Sequence, residues 1–319
     1  HSSHRRQRQM CIRDSKYIPD NPTAWIFQTA RNKLIDTLRQ ITNRQNLVHN
    51  YQPNENENGT VVFLKGELRD DQLRMIFACC HPEVSPENQI ILTLKILCGF
   101  TVSEIARALL KKKETVAKAY TRAKAHFKKQ NLALNVPEGQ ELKERLSIVQ
   151  KIVYLLFNEG YKAHEGDQLL REDLCHEAIR LNRLLLENKH CDRPPARALL
   201  SLMLLQVARF PARVDDEGTL ITLANQDRNL WNRQMIDEGV RELQQANSTV
   251  EFSEYHLQAS IAATHCLATD YESTDWQQIL FFYDMLLQMN PSPVVALNRI
   301  VALSKAKSSG LSLIHISEP

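Results

Sequence analysis

Across residues 101–130 there are nine Lys or Arg and two acidic residues, a surplus of seven positive charges in thirty positions. Ammonium and guanidinium groups at that density bind polyanions by displacing their counterions. A basic run by itself is ordinarily a solvated surface, but the apolar spacing here adds an orientation. Residues 102–110 and 115–129 each read as a short helix, joined across Lys111, Lys112 and Lys113, and two such helices meeting at a tight turn describe a helix-turn-helix. Ile105 and Leu109 share one face of the first helix, and Val116, Tyr120, Ala123 and Phe127 share one face of the second. Lys118, Thr121, Arg122 and Ala125 then lie on the opposite face, with Lys112, Lys113 and Thr115 at its amino end and Lys124 beside it. Such a face suits the DNA major groove, where its side chains reach base edges while flanking lysines neutralise phosphates.

Other reactive residue types give weaker patterns. The pairs Cys79-Cys80-His81, Cys175-His176, His190-Cys191 and His265-Cys266 contain zinc's preferred donors, but adjacent donors do not readily face one tetrahedral ion and no C-x-x-C spacing occurs, so no metal is expected. Asn158-Glu159-Gly160-Tyr161 is expected to be a helix end with Gly160 as its C-cap rather than a catalytic acid beside a tyrosine. Asp227, Arg228 and Trp231 are expected to form a buried polar clamp. No nucleophile elbow, phosphate-cradling loop or carboxylate pair is present, so neither an enzyme nor a cofactor is expected.

The elements that must hold the basic face are helical almost throughout. With 319 residues, 43% hydrophobic and only 9 Gly, the chain is large enough for about two domains, and its Leu, Ala, Gln and Arg content predicts an all-α fold. The longest uncharged apolar stretch, residues 198–208, is too short to span a membrane. Seven Cys without framework spacing point to a reducing, cytoplasmic setting. Residues 1–140 carry 22 basic and 13 acidic side chains, a balance of +9, whereas residues 141–319 carry 18 and 24, a balance of −6. The first part is expected to seek an acidic polymer and the second is not.

Residues 1–15 and 310–319 resemble translated adaptor sequence, so the native chain is expected to be cut at both ends. Residues 16–42 read as one amphipathic helix opened by Asn21-Pro22, residues 43–66 as a polar linker, and residues 67–131 as the module holding the helix-turn-helix. A second linker at 132–141 precedes a helical array over 142–306. Leu142, Leu146, Val149, Val153 and Leu156 form one stripe of that array, and Leu170, Leu174, Ala178, Leu181 and Leu185 form another. A helix starts at Pro194-Pro195, a turn or small hairpin follows at 215–218, and further helices fall near 229–246, 253–269, 274–289 and 293–305, as in a tetratricopeptide-like α-solenoid.

Residues 21–25 and 29–39 resemble the last helix of region 2 in extracytoplasmic-function RNA polymerase sigma factors, and the helix-turn-helix is similar to their winged-helix-like region 4. Residues 68–82 resemble the entry to region 4 in a subgroup with a long helical C-terminal extension, which residues 157–161, 226–228 with Trp231, and 290–299 also resemble. The resemblance implies a protein that binds core RNA polymerase and directs it to promoter DNA, region 4 reading the −35 element and region 2 the −10 element. It adds Arg31, Asn32 and Arg39 to the DNA-facing residues. Two positions depart from the pattern: Glu114 replaces the usual glycine before Thr115, and Lys111 replaces an aliphatic residue at the turn.

A one-component helix-turn-helix regulator with a helical sensor, or a tetratricopeptide-like scaffold, would share these features. The acidic array is expected to act in cis, either folding back on the basic helix or contacting polymerase or a regulatory protein. Its deletion after Gln140 is then expected to leave the DNA affinity of the first module intact or higher.

Overall fold

The computed structural model describes residues 68, 70–130, 136–161, 170–215, 217, 219–247 and 251–316. The expected region 2 helix, with Arg31, Asn32 and Arg39, lies outside the described residues, as does the polar linker after it. The described part is all-α, with eleven α-helices, three short 3₁₀ turns and one isolated antiparallel bridge between Val214 and Leu220. No strand accompanies the helix-turn-helix among the described residues. Its second helix runs to Gln130 and the next begins at Gln140.

Four helices form the first module: α1 (Asp71–Cys79), α2 (Pro86–Ile96), α3 (Val102–Ala108) and α4 (Lys113–Gln130). Asp70 caps α1, accepting from the Leu73 N–H at 2.9 Å, and Pro86 opens α2, where its missing N–H costs nothing. The turn between α1 and α2 is held by buried Gln89, whose Nε2 donates to the carbonyls of His81 at 2.8 Å and Val84 at 2.7 Å. Thr101 and Glu104 form a capping box that starts α3.

The array follows as α5 (Gln140–Tyr161), α6 (Glu172–Leu186), α7 (Pro194–Val207), α8 (Arg233–Gln245), α9 (Glu254–Leu267), α10 (Trp276–Met289) and α11 (Pro293–Ile316). Helix α7 is apolar on nearly every face and packs against α5, α6, α8 and α9, the position that such a helix must take. The expected stripe on α5 is buried throughout, and Ala178, Leu181 and Leu185 of α6 are fully buried opposite it. Helix α8 begins at Arg233 rather than near 229 because Arg228–Leu230 is a 3₁₀ turn and Asn232 supplies the cap, accepting from the Met235 N–H at 3.1 Å.

Gly160 is not a C-cap. It lies inside α5, and a Cβ there would stand 2.7 Å from the Arg171 carbonyl oxygen and 2.9 Å from the Cys175 nitrogen. The glycine lets the start of α6 approach α5 more closely than any side chain permits. The clamp expected from Asp227, Arg228 and Trp231 is half present: Arg228 lies over the buried Trp231 ring, while Asp227 turns away to cap the Asn229 N–H at 2.9 Å.

The first module and the array share one hydrophobic core. Helices α1, α2 and α3 all pack on α5, and buried apolar contacts run unbroken from Leu73, Phe77 and Leu94 through Leu146 and Val153 to Leu199 and Cys266. Polar links cross the same boundary. Arg180 of α6 bonds to Asp70 at 2.8 Å, and Arg145 of α5 donates to the Phe77 carbonyl at 3.2 Å. Burial of the Asp70 carboxyl acts against its ionisation, but the Arg180 guanidinium and the Leu73 N–H outweigh it and hold the group below the usual carboxylate range.

Candidate nucleic-acid interface

Helix α4 packs on α2 and α3 through a narrow apolar side: Val116 and Ala123 are buried, and Tyr120 and Phe127 are half-buried against Val84 and Leu92. Every residue predicted for the DNA face of the helix-turn-helix is on the other side. Lys112, Lys113, Thr115, Lys118, Thr121, Arg122 and Lys124 are all exposed, as is Ala125. Lys118 and Arg122, with Thr115, line a groove of about 410 Å³ that also takes in Ser85 and Asn88 from the start of α2. Sequence reasoning missed Ser85 and Asn88. Their only signal was the Ser-Pro helix start, which says where a helix begins and not what lies beside it. Thr121 Oγ1 donates to the Ala117 carbonyl at 3.0 Å within the same helix.

The turn accommodates Lys111, and Glu114 falls in the first turn of α4. Helix α3 ends in a Schellman motif, in which the Leu110 N–H donates to Arg107 O at 3.0 Å and the Lys111 N–H to Ala106 O at 2.8 Å. Leu110 takes the left-handed conformation this requires, at φ 53°, where glycine is the favoured residue. The apolar contact that would usually follow is replaced by an ion pair, Lys111 Nζ to Glu87 of α2 at 2.7 Å. Leu110→Gly is therefore expected to stabilise the protein by about 1 kcal/mol, since the left-handed cost is removed and a side chain 70% exposed has little packing to lose. A thermal melt checks this: the expected rise is roughly 2–4 °C, and an unchanged or lower midpoint would show that the turn is unstrained.

The array leaves this face open. Among the described residues it packs on α1, α2 and α3, while α4 packs on α2 and α3, so of the two ways of acting in cis the folding-back over the basic helix is not seen there. The physical reason is the apolar surface of α1 to α3, which needs covering more than the solvated lysines do.

The described cysteines are all buried, whereas His126 lies on α4 beside Arg122 and His81 packs edge-on against Phe127. Burial pushes the Cys79 and Cys98 thiols up to about 12 and Cys80 higher still. Among the described residues no three His, Cys, Asp or Glu side chains are grouped to hold an ion, and no helix is long and apolar enough to cross a membrane.

Comparison with known proteins agrees with this geometry. Residues 74–127, which contain the helix-turn-helix, match the family "Sigma-70, region 4". Residues 145–247 of the array match a "Family of unknown function (DUF6596)". A protein of Rhizobium meliloti (strain 1021), named "Uncharacterized protein R00370", is 38% identical over 319 residues, covering 97% of this chain and 75% of that protein. No solved structure matches. A region 4 helix-turn-helix with an open basic face, joined through one core to the second matched segment and aligned with that relative over nearly its whole length, makes the chain a member of the sigma-70 family.

Proposed function

We propose that the protein is an RNA polymerase sigma factor of the extracytoplasmic-function type, in which α4 enters the major groove of the promoter −35 element. One observation carries this reading: on the second helix of a helix-turn-helix, Val116 and Ala123 are buried while Thr115, Lys118, Thr121, Arg122 and Lys124 stand free for DNA. Arg122 and Lys118 are placed to reach base edges, and Lys112, Lys113 and Lys124 to neutralise phosphates. The protein acts by binding promoter DNA and core polymerase in the cytoplasm and catalyses nothing itself. The array, read as tetratricopeptide-like, serves as the rigid mount of region 4 and offers its remaining surface to a regulatory protein.

Selection of the full chain on a random duplex library tests the reading. The expected product is a single asymmetric site bound by one chain, whose affinity falls with salt at a log–log slope of about −3 to −5, from three to five phosphate contacts. Recovery of palindromes bound by two copies would assign a dimeric one-component regulator instead. Binding without sequence preference would remove the −35 assignment.

A further inference from the structure

Two sequence segments, 157–161 and 226–231, have no part in DNA recognition, yet the fold brings them to one place in the array. Arg213 lies with its guanidinium 3.5 Å from the centre of the Tyr161 ring, and Tyr161 in turn stacks on Phe210. Arg209 approaches the Trp231 ring at 5.8 Å and donates from Nε to Gln226 Oε1 at 3.4 Å. Arg228 covers the same indole at 4.6 Å and donates to the carbonyls of His265 and Ala268 at 2.7 and 2.8 Å.

Three guanidinium groups therefore share two aromatic rings. Arg209 and Arg213 are each only 9% exposed, and among the described residues none of the three pairs with a carboxylate. Ring faces offset part of the charge, but buried cations without a counter-charge are strongly unfavourable. Burial and the nearby Arg209 hold both Arg213 and Arg228 below the usual guanidinium range. Burial, together with Arg209 and Arg228, also pushes the His265 imidazole down to about 4. Arg213 Nη1, Arg228 Nη2, Trp231 Nε1 and His265 Nδ1 are all buried with no hydrogen-bond partner. Asp270 acts on Arg228 from a distance, but among the described residues Arg209 and Arg213 have no such carboxylate, and protein interiors leave few unpartnered donors of this kind, so a group of them beside excess positive charge suits an anion.

We propose that Arg209, Arg213 and Arg228, with the Trp231 N–H, bind a phosphate group, either the free ion or one carried by a small organic phosphate. A dianion with several oxygens satisfies more than one planar fork and more than one positive charge, which a single carboxylate does not. The burial of the cluster excludes a duplex as its ligand. This site is independent of the DNA-binding reading.

Thermal denaturation of the full chain tests it, with inorganic phosphate and glycerol 3-phosphate as probes and chloride at equal ionic strength as reference. The midpoint is expected to rise with the logarithm of phosphate concentration above the dissociation constant, by about 5–10 °C at a hundred times that constant. A larger shift with the ester assigns an organic phosphate and a larger shift with the ion assigns phosphate itself; either supports the site. Arg213→Gln should melt in chloride at or above the parent temperature, because a repelled buried charge is gone, and should lose the phosphate response. Trp231→Phe, which keeps an aromatic ring but removes the N–H, should weaken the response and provides a second variant should Arg213→Gln fail to fold. No shift with either phosphate, or an equal shift in parent and variants, would overturn the proposal.

Discussion

Phe77→Ala is expected to lower the stability of the whole described assembly by about 3–5 kcal/mol, with region 4 and the array unfolding together. Phe77 is fully buried in α1, in the core that passes without a break into α5 and beyond. Its own carbonyl is held by Arg145 of α5 at 3.2 Å. Truncation removes the transfer energy of an aromatic ring and leaves a cavity between rigid helices that collapse only in part. Because α1, α2 and α3 share their core with α5, the lost energy is felt on both sides of the boundary. Thermal unfolding followed by helical signal and by DNA binding should give coincident transitions, both shifted down. A variant whose array melts at the parent temperature while DNA binding is lost early would show two independent domains. The same coupling reverses the expectation for a deletion after Gln140: without Leu142, Leu146 and Val149 the inner side of region 4 is exposed, so its DNA affinity should fall rather than be spared.

The second large effect concerns recognition rather than stability. Arg122→Ala should weaken binding to the selected site by about 1–3 kcal/mol, roughly 5- to 150-fold, and relax sequence preference at the base that it contacts. Lys118→Ala should act on the same face. Both side chains are exposed on α4 and line the groove with Thr115, Ser85 and Asn88, so neither variant should move the melting temperature. Lys113→Ala, at the amino end of the helix, should instead weaken all sequences alike and reduce the salt slope by about one. Titration of labelled duplexes separates these outcomes. Unchanged affinity for both Arg122→Ala and Lys118→Ala would remove α4 as the reading element.

What was legible in the sequence was whatever depends on local spacing. The apolar side of α4 at Val116, Tyr120 and Ala123 and the basic face opposite it follow from the 3.6-residue period, which needs no distant partner. The all-α class, the buried stripe of α5 and its counterpart at Ala178, Leu181 and Leu185 of α6 were accessible for the same reason, while Leu170, which precedes α6, and Leu174 are only half-buried. Tertiary structure alone decided which apolar surface covers which. Nothing in residues 71–108 specifies that α5, rather than solvent or a second copy, closes the back of region 4, because hydrophobic burial has no direction and any apolar face will satisfy it. Gly160 shows the limit at one residue: glycine near a helix end reads as a cap, and only the approach of the Arg171 carbonyl reveals that it exists for close contact between two helices. The arginine cluster shows it for a site. Arg228 was legible as one member of a polar clamp, but Arg209 and Arg213 read as ordinary surface charges along the chain, and only the fold of the turns after α7 onto Tyr161 and Trp231 buries those two beside Arg228.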